Sequence, residues 1–269
     1  MRGASAESLA ALSDALAAAV EGGADAGRVA DDLFGVSDVL RREPSLRRVA
    51  TDVSVAAPAK SDLVRKIFGD HLDDASLELA AQGASRRWAA TRDLADALEQ
   101  LGVIAVVRAA EGQGEADALE DELFGVEQLV SQNPQLRDAL SDPARSVEDK
   151  RSLLRGLLEG KATGPTIRLA EQSVAGTHRT VAVALNDYKL VAARHRQRLV
   201  GTVRAARDLE ERDIQRLESA LTAQYDHPVH LNVVVDPSII GGMKVEIGDD
   251  VIDGTVASRL DDARRRLAG

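Results

Sequence analysis

The residues with the chemistry to bind or catalyse are few and scattered. His227-Pro-Val-His230 offers two imidazoles at the start of a strand, the ligand type a zinc ion takes, but no third ligand lies nearby. His71, His178 and His195 stand far apart, with no evident nucleophile partner. Asp249, Asp250 and Asp253 make an acidic turn that lacks the spacing of a calcium loop, so turn chemistry and surface charge account for it. Gly241-Gly242 is not followed by the Gly-Lys-Ser/Thr of a phosphate loop; a turn that brings two backbones close explains it. The arginines at 264–266 suit a solvated helix end that complements the helix dipole. Trp88 and Tyr188 read as packing residues. No active site assembles from these positions, so no catalytic residue, cofactor or metal ligand is expected.

Composition narrows the class further. The 269 residues are 44% hydrophobic and 29% charged, the balance of a globular chain. Aromatics are only 2%, so the cores must be built from Leu, Val, Ile and Ala, and Ala and Leu favour helix. There are no cysteines, which excludes disulfides and cysteine-based metal sites. A net charge of −10 argues against a general nucleic-acid binder. No run approaches the ~20 apolar residues that span a bilayer. The first residues lack a basic segment followed by an apolar core, so no signal peptide is expected. The expected place is the cytoplasm, which leaves room for attachment to a membrane complex through another subunit.

The elements that position these residues come from a duplication. Segment 121–137 repeats segment 31–47 at an offset of 90 residues, as Leu33-Phe34-Gly35-Val36 returns as Leu123-Phe124-Gly125-Val126. Pro44, Leu46 and Arg47 return as Pro134, Leu136 and Arg137, and the register runs ungapped to Gln82 and Gln172. The period is too long for a solenoid repeat, so this is a duplicated helical unit. In the first copy, helices are expected at 4–20, 24–42, 44–51, 58–68 and 74–85, and a long one at 86–110. The stretch 103–107 is β-rich by propensity. Leu94, Leu98 and Leu101 keep helical spacing, so helix is preferred, and this helix closes the first bundle and opens the second. In the second copy, helices are expected at 115–131, 134–141, 146–158, 164–176 and 178–199. Gly35 costs roughly 1 kcal/mol in a helix interior. Its return as Gly125 suggests that another helix approaches closely there.

After 199 the period changes. Strands are expected at 200–206 and 229–235, with a helix between them opening at Asp208 and Glu211. Met243, Val245 and Ile247 alternate and turn at Gly248 into Val251-Ile252 as a hairpin. A basic-ended helix at 255–267 closes the chain. The expected fold is mainly α with a small α+β C-terminal domain: two tandem helical bundles followed by a few-stranded sheet with helices. The expected domains are 1–107, 108–198 (sharing the helix 86–110) and 199–269.

The C-terminal stretch carries a resemblance. Asp236, Pro237, Ile240, Gly241, Gly242, Gly248, Asp249, Val251, Ile252, Asp253, Gly254, Arg259 and Leu260 match, in order and spacing, the signature of the F-type ATP synthase delta subunit family. The mitochondrial relative of that family is the oligomycin-sensitivity-conferring protein. Asn133-Pro-Gln-Leu-Arg and Glu148-Asp-Lys-Arg-Ser-Leu-Leu are similar to it as well, so the resemblance covers roughly 90–267. It implies a non-catalytic stator of the peripheral stalk on the cytoplasmic face of the cell membrane. The helical domain would receive N-terminal segments of alpha subunits, and the C-terminal domain would engage the b subunit. The extra helical copy resembles the enlarged delta subunits of actinobacteria, and a separate b is implied. Leu9, Leu12, Leu16, Leu94, Leu98 and Leu101 could line a groove for an alpha helix, or simply the bundle's own core. On the residues alone, the competing reading is a helical adaptor unrelated to ATP synthase.

Overall fold

In the computed structural model, residues 1–176, 178–196, 199–225, 228–248 and 250–256 are described. They form two compact units, Met1–Ala192 and Ala193–Gly269. The first is all helical: α1 (Ala4–Glu21), α2 (Ala26–Arg42), α3 (Pro44–Thr51), α4 (Ala57–Phe68), α5 (Asp74–Ser85), α6 (Asp93–Gln113), α7 (Ala116–Gln132), α8 (Pro134–Ser141), α9 (Val147–Leu158), α10 (Gly164–Ser173) and α11 (Val181–His195). The duplication survives to the residue. Helices α2, α3 and α4 return as α7, α8 and α9, shifted by 90 at both ends. Local chemistry sets those ends. Pro44 and Pro134 open their helices where a missing N–H costs nothing. The Asp25 side chain caps α2, and Ser146 with Asp149 caps α9. The same device ties helices together in both copies: Asp32 accepts from the Asp73 amide at 3.1 Å, and its counterpart Glu122 accepts from the Thr163 amide at 2.8 Å.

The two copies share one continuous hydrophobic core within the Met1–Ala192 unit. Helix α6 is the reason. It is the last helix of the first copy and the first helix of the second, and it is buried on every side from Leu94 to Val107 apart from Asp96 and Gln100. A helix apolar all round must be enclosed. The β-rich run 103–107 is helical because tertiary enclosure overrides a weak local preference. Helix α2 runs antiparallel along α6, with Arg41 beside Asp96 and Phe34 beside Gly102.

Three expectations are corrected. Helix α6 starts at Asp93, not at 86. Residues 86–92 form a loop, pinned by Trp88 Nε1 donating to the Gly83 carbonyl at 2.9 Å. Ser5 Oγ also donates to Asp93 at 2.6 Å while accepting from the Ala89 amide. Gly35 and Gly125 are exposed, and a Cβ at either would meet nothing within 4 Å. The close approach is at Gly102, where a Cβ would lie 2.5 Å from Phe34 Cε1. The helix expected at 178–199 is shorter, because the chain enters a strand at Leu199.

The second unit holds β1 (Leu199–Ala205), α12 (Glu211–Tyr225), β2 (Val229–Val235), β3 (Met243–Ile247) and β4 (Asp250–Asp253). The sheet order is β2-β1-β3-β4; β1 and β2 are parallel, and the other pairs are antiparallel. Helix α12 is the crossover that a parallel pair requires. Its Leu221, with Ile214 and Leu217, covers Val203, Leu231, Val245 and Ile247. The helix expected at 255–267 lies outside the described residues.

Overpacking tests the close approach. Gly102→Leu drives a side chain into the Phe34 ring and should cost about 1–3 kcal/mol. Gly35→Ala, on an open helix face, should instead add about 0.5–1 kcal/mol. Urea unfolding of each variant measures both. A destabilised Gly35→Ala or a neutral Gly102→Leu would contradict this packing.

Candidate functional site

The signature residues of the C-terminal unit form a crossing of two backbones. The Asp236 carboxylate accepts from the Ser238 amide at 2.9 Å and its hydroxyl at 2.6 Å, which holds it below the usual carboxylate range. The Asp236 amide donates to the Ala205 carbonyl, tying the end of β2 to the end of β1. Beyond this turn, Gly242 takes φ 83°, and a Cβ there would lie 2.5 Å from the Gly254 carbonyl oxygen. The Gly254 amide donates to the Met243 carbonyl at 3.0 Å, and the Val256 amide to the Gly241 carbonyl at 2.9 Å. The Asp253 carboxylate accepts from the Thr255 amide at 2.9 Å, which depresses its pKa. Thus Gly241-Gly242 and Asp253-Gly254 lie where two segments of the backbone touch. Gly248, at φ 57°, turns β3 toward β4. Asp249, Arg259 and Leu260 lie outside the described residues, as does His227.

The crossing leaves apolar side chains at the surface. Ile240 is 86% exposed, and Val251 and Ile252 stand out on the edge strand β4. Ile240 also lines a cavity of about 690 Å³ with Leu209, Leu217, Met243, Arg207 and Asp213. An exposed isoleucine at the rim of a hollow lined by both apolar and charged side chains is an apolar feature at the surface of this unit.

In the helical unit, five of the six candidate groove leucines are fully enclosed. Leu12, Leu16, Leu94, Leu98 and Leu101 are at most 1% exposed, and Leu12, Leu94 and Leu98 converge on Gly83 of α5. Leu9 alone keeps accessible surface. One polar group lies inside this core without a sequence motif to mark it: Glu99 of α6, 4% exposed, takes a salt bridge from Arg41 of α2. It also accepts from Gln172 of α10 at 3.3 Å and from the Tyr188 hydroxyl of α11 at 2.5 Å. Burial and the Glu99 carboxylate push the Tyr188 hydroxyl well above its ordinary range. One carboxylate thereby joins helices of both copies. The signal for it was slight: an acidic residue inside the otherwise apolar stripe of α6.

Around this node the copies meet through charges. Asp38 pairs with Arg151 at 3.2 Å and Asp31 with Arg168 at 2.8 Å, across a cleft of about 370 Å³ between α2 and the α9–α10 pair. Burial raises the pKa of Asp31, and Arg168 opposes the shift. Among the histidines, His178 Nδ1 lies 3.2 Å from Asp187, and His230 Nδ1 lies 3.3 Å from Glu218. Among the described residues, no three His, Asp or Glu side chains converge as a metal site, and no helix is long and apolar enough to cross a membrane.

The family model for the ATP synthase delta (OSCP) subunit matches residues 104–267. The chain is also similar to proteins named ATP synthase subunit delta. One from Nocardioides sp. is 53% identical, covering 100% of this chain and 98% of the relative. One from Kineococcus radiotolerans is 44% identical over 92% of this chain and 90% of the relative, and one from Streptomyces coelicolor is 42% identical over 100% and 98%. The chain belongs to the ATP synthase delta (OSCP) subunit family, and it is a peripheral-stalk subunit of an F-type ATP synthase. The relatives align through the first copy as well, so the enlarged helical unit is common to them.

Two outcomes follow from the Glu99 node. Arg41→Ala leaves a buried carboxylate without its cation and should cost about 3 kcal/mol, read as a lower urea midpoint. Tyr188 gives a pH dependence. Its pKa is raised in the folded state, so its contribution is full below about pH 10 and is lost as pH rises beyond that. Tyr188→Phe should flatten that alkaline loss; an unchanged profile would contradict the assignment.

Proposed function

We propose that this chain is a non-catalytic stator. It ties the alpha/beta catalytic head to the membrane-anchored b subunit and resists the torque of the rotor, so that proton flow couples to ATP synthesis. It works as a peripheral component at the cytoplasmic face of the cell membrane. N-terminal segments of alpha subunits dock on the helical unit, and b engages the C-terminal unit at the apolar rim around Ile240. Helix-in-groove docking suits this task, because apolar anchors at helical spacing give affinity without chemistry.

The observation that carries the reading is the single core of the Met1–Ala192 unit, in which α6 serves both copies. A part that resists torque must transmit load without an internal slip plane, and a helix enclosed by both copies removes one. Leu12, Leu16, Leu94, Leu98 and Leu101 supply this core, and Leu9 packs against it while keeping accessible surface.

The test is made on membranes. Membranes depleted of this chain should lose ATP-driven proton pumping, while the released head continues to hydrolyse ATP. Adding the chain back should restore pumping, and Ile240→Asp should weaken recovery of b without lowering stability. Pumping that survives depletion would end the stator reading.

A further inference from the structure

Arginines gather beside the cleft between α2 and the α9–α10 pair. A cavity of about 860 Å³ opens there, and Arg28 of α2, Arg108 of α6, Arg155 of α9 and Arg168 of α10 all line it. Three of these cations are engaged. Arg28 pairs with Asp32 at 3.2 Å, Arg168 with Asp31 at 2.8 Å, and Arg155 with Glu171. Arg108 is different. Its Nε is enclosed with no hydrogen-bond partner, and among the described residues no carboxylate pairs with its guanidinium.

A guanidinium partly withdrawn from water needs an acceptor, because an unpaired buried charge is costly. The acids that line the cavity do not supply one. Asp25 is taken up by the amides of Gly27 and Arg28 at the start of α2, while Asp31 and Glu171 hold Arg168 and Arg155. The repeat shows where the positive charge comes from. The residues 90 positions before Arg108 and Arg168 are Ala18 and Glu78. Neither cation is a feature of the repeated unit, and both lie where the second copy faces α2. Gly27 leaves room for this arrangement, since a Cβ there would lie 3.2 Å from Arg168 Nη1.

We propose that this cavity binds a phosphate-type oxyanion carried by a small molecule, with Arg108 as its anchoring cation. A guanidinium presents its donors as a planar fork that matches two oxygens of one phosphate. The volume falls within the roughly 300–1,000 Å³ of small-molecule sites and exceeds what a lone phosphate fills. Val20, Pro165 and Ile167 provide an apolar wall for the rest of the ligand. The inference goes beyond the stator reading and does not depend on it, because a chain can tie the head to b whether or not this cavity is filled.

The experiment titrates the full chain by calorimetry with inorganic phosphate and, separately, with ADP, at matched ionic strength with chloride as the reference anion. Saturable binding of both is expected, with ADP the tighter. Arg108→Met keeps the length of the side chain and removes the charge, and it should weaken both ligands roughly tenfold or more. Arg108→Lys keeps the charge without the fork and should recover only part of the affinity. The thermal melting of the unliganded Arg108→Met chain should be no lower than that of the wild type, since no partner is lost. Phosphate binding without a gain for ADP would support the oxyanion site and assign it to the free ion. No saturable binding of either ligand by the wild type would overturn the proposal, and so would unchanged affinity in Arg108→Met. A marked fall in the unliganded melting temperature would give Arg108 a structural role instead. If the wild type binds neither ligand but Arg108→Met weakens binding to the catalytic head, the acceptor is a partner's carboxylate and the small-molecule site is overturned.

Discussion

Helix α6 has almost no face to give to water, and the rest of the helical unit is arranged around that fact. Thirteen of its 21 residues are buried. Enclosing them takes α1, α2 and α5 of the first copy together with α7 and α10 of the second. Fully burying a Leu, Ile or Val side chain contributes about 1.5–3 kcal/mol, against the entropy of ordering the chain. Neither copy could keep that contribution alone, because each would expose the half of α6 that the other covers. The duplication is therefore not two beads on a string. It is one body with a shared central strut.

The polar groups inside that body follow from its geometry. Glu99 sits where four helices meet, and the Arg41 guanidinium, the Gln172 amide and the Tyr188 hydroxyl all turn toward it. A buried carboxylate is a poor source of net stability compared with a well-packed apolar residue. Its value is in the cost of breaking the arrangement: if α2 moves off α6, the carboxylate loses its cation. The partly exposed pairs Arg168–Asp31 and Arg155–Glu171 have less at stake, since solvent reaches at least one partner of each. Rigidity comes from the core and from the Glu99 node.

Much of this was legible in the residues. The ungapped repeat from Leu33 to Gln82 gave the helix order and nearly all the ends, since Pro44, Pro134 and Ser146 mark them chemically. The alternation in 229–235 and 243–247 gave the strands. The signature Asp236, Gly241-Gly242 and Asp253-Gly254 gave the family, and the geometry supplies its cause, a backbone crossing with no room for a Cβ at Gly242. What was not legible required knowing which faces meet. Gly35 repeats and Gly102 does not, yet Gly102 is the position pressed by Phe34. A repeat reports common descent, whereas a close approach depends on the partner across the interface. The same limit hid Glu99, and it left Leu12, Leu16, Leu94, Leu98 and Leu101 open between a groove and the bundle's own core, where their burial places them.

Cooperativity tests the shared core most directly. Trp88, the only tryptophan, is buried in the loop before α6 and reports the first copy by its fluorescence. Amide hydrogen exchange of α7 and α10 reports the second. Followed through a urea titration of the full chain, the two signals should give the same midpoint, because neither copy retains α6 without the other. If Trp88 fluorescence is lost at a lower urea concentration while α7 and α10 stay protected, the copies are independent domains and the single-strut account is contradicted.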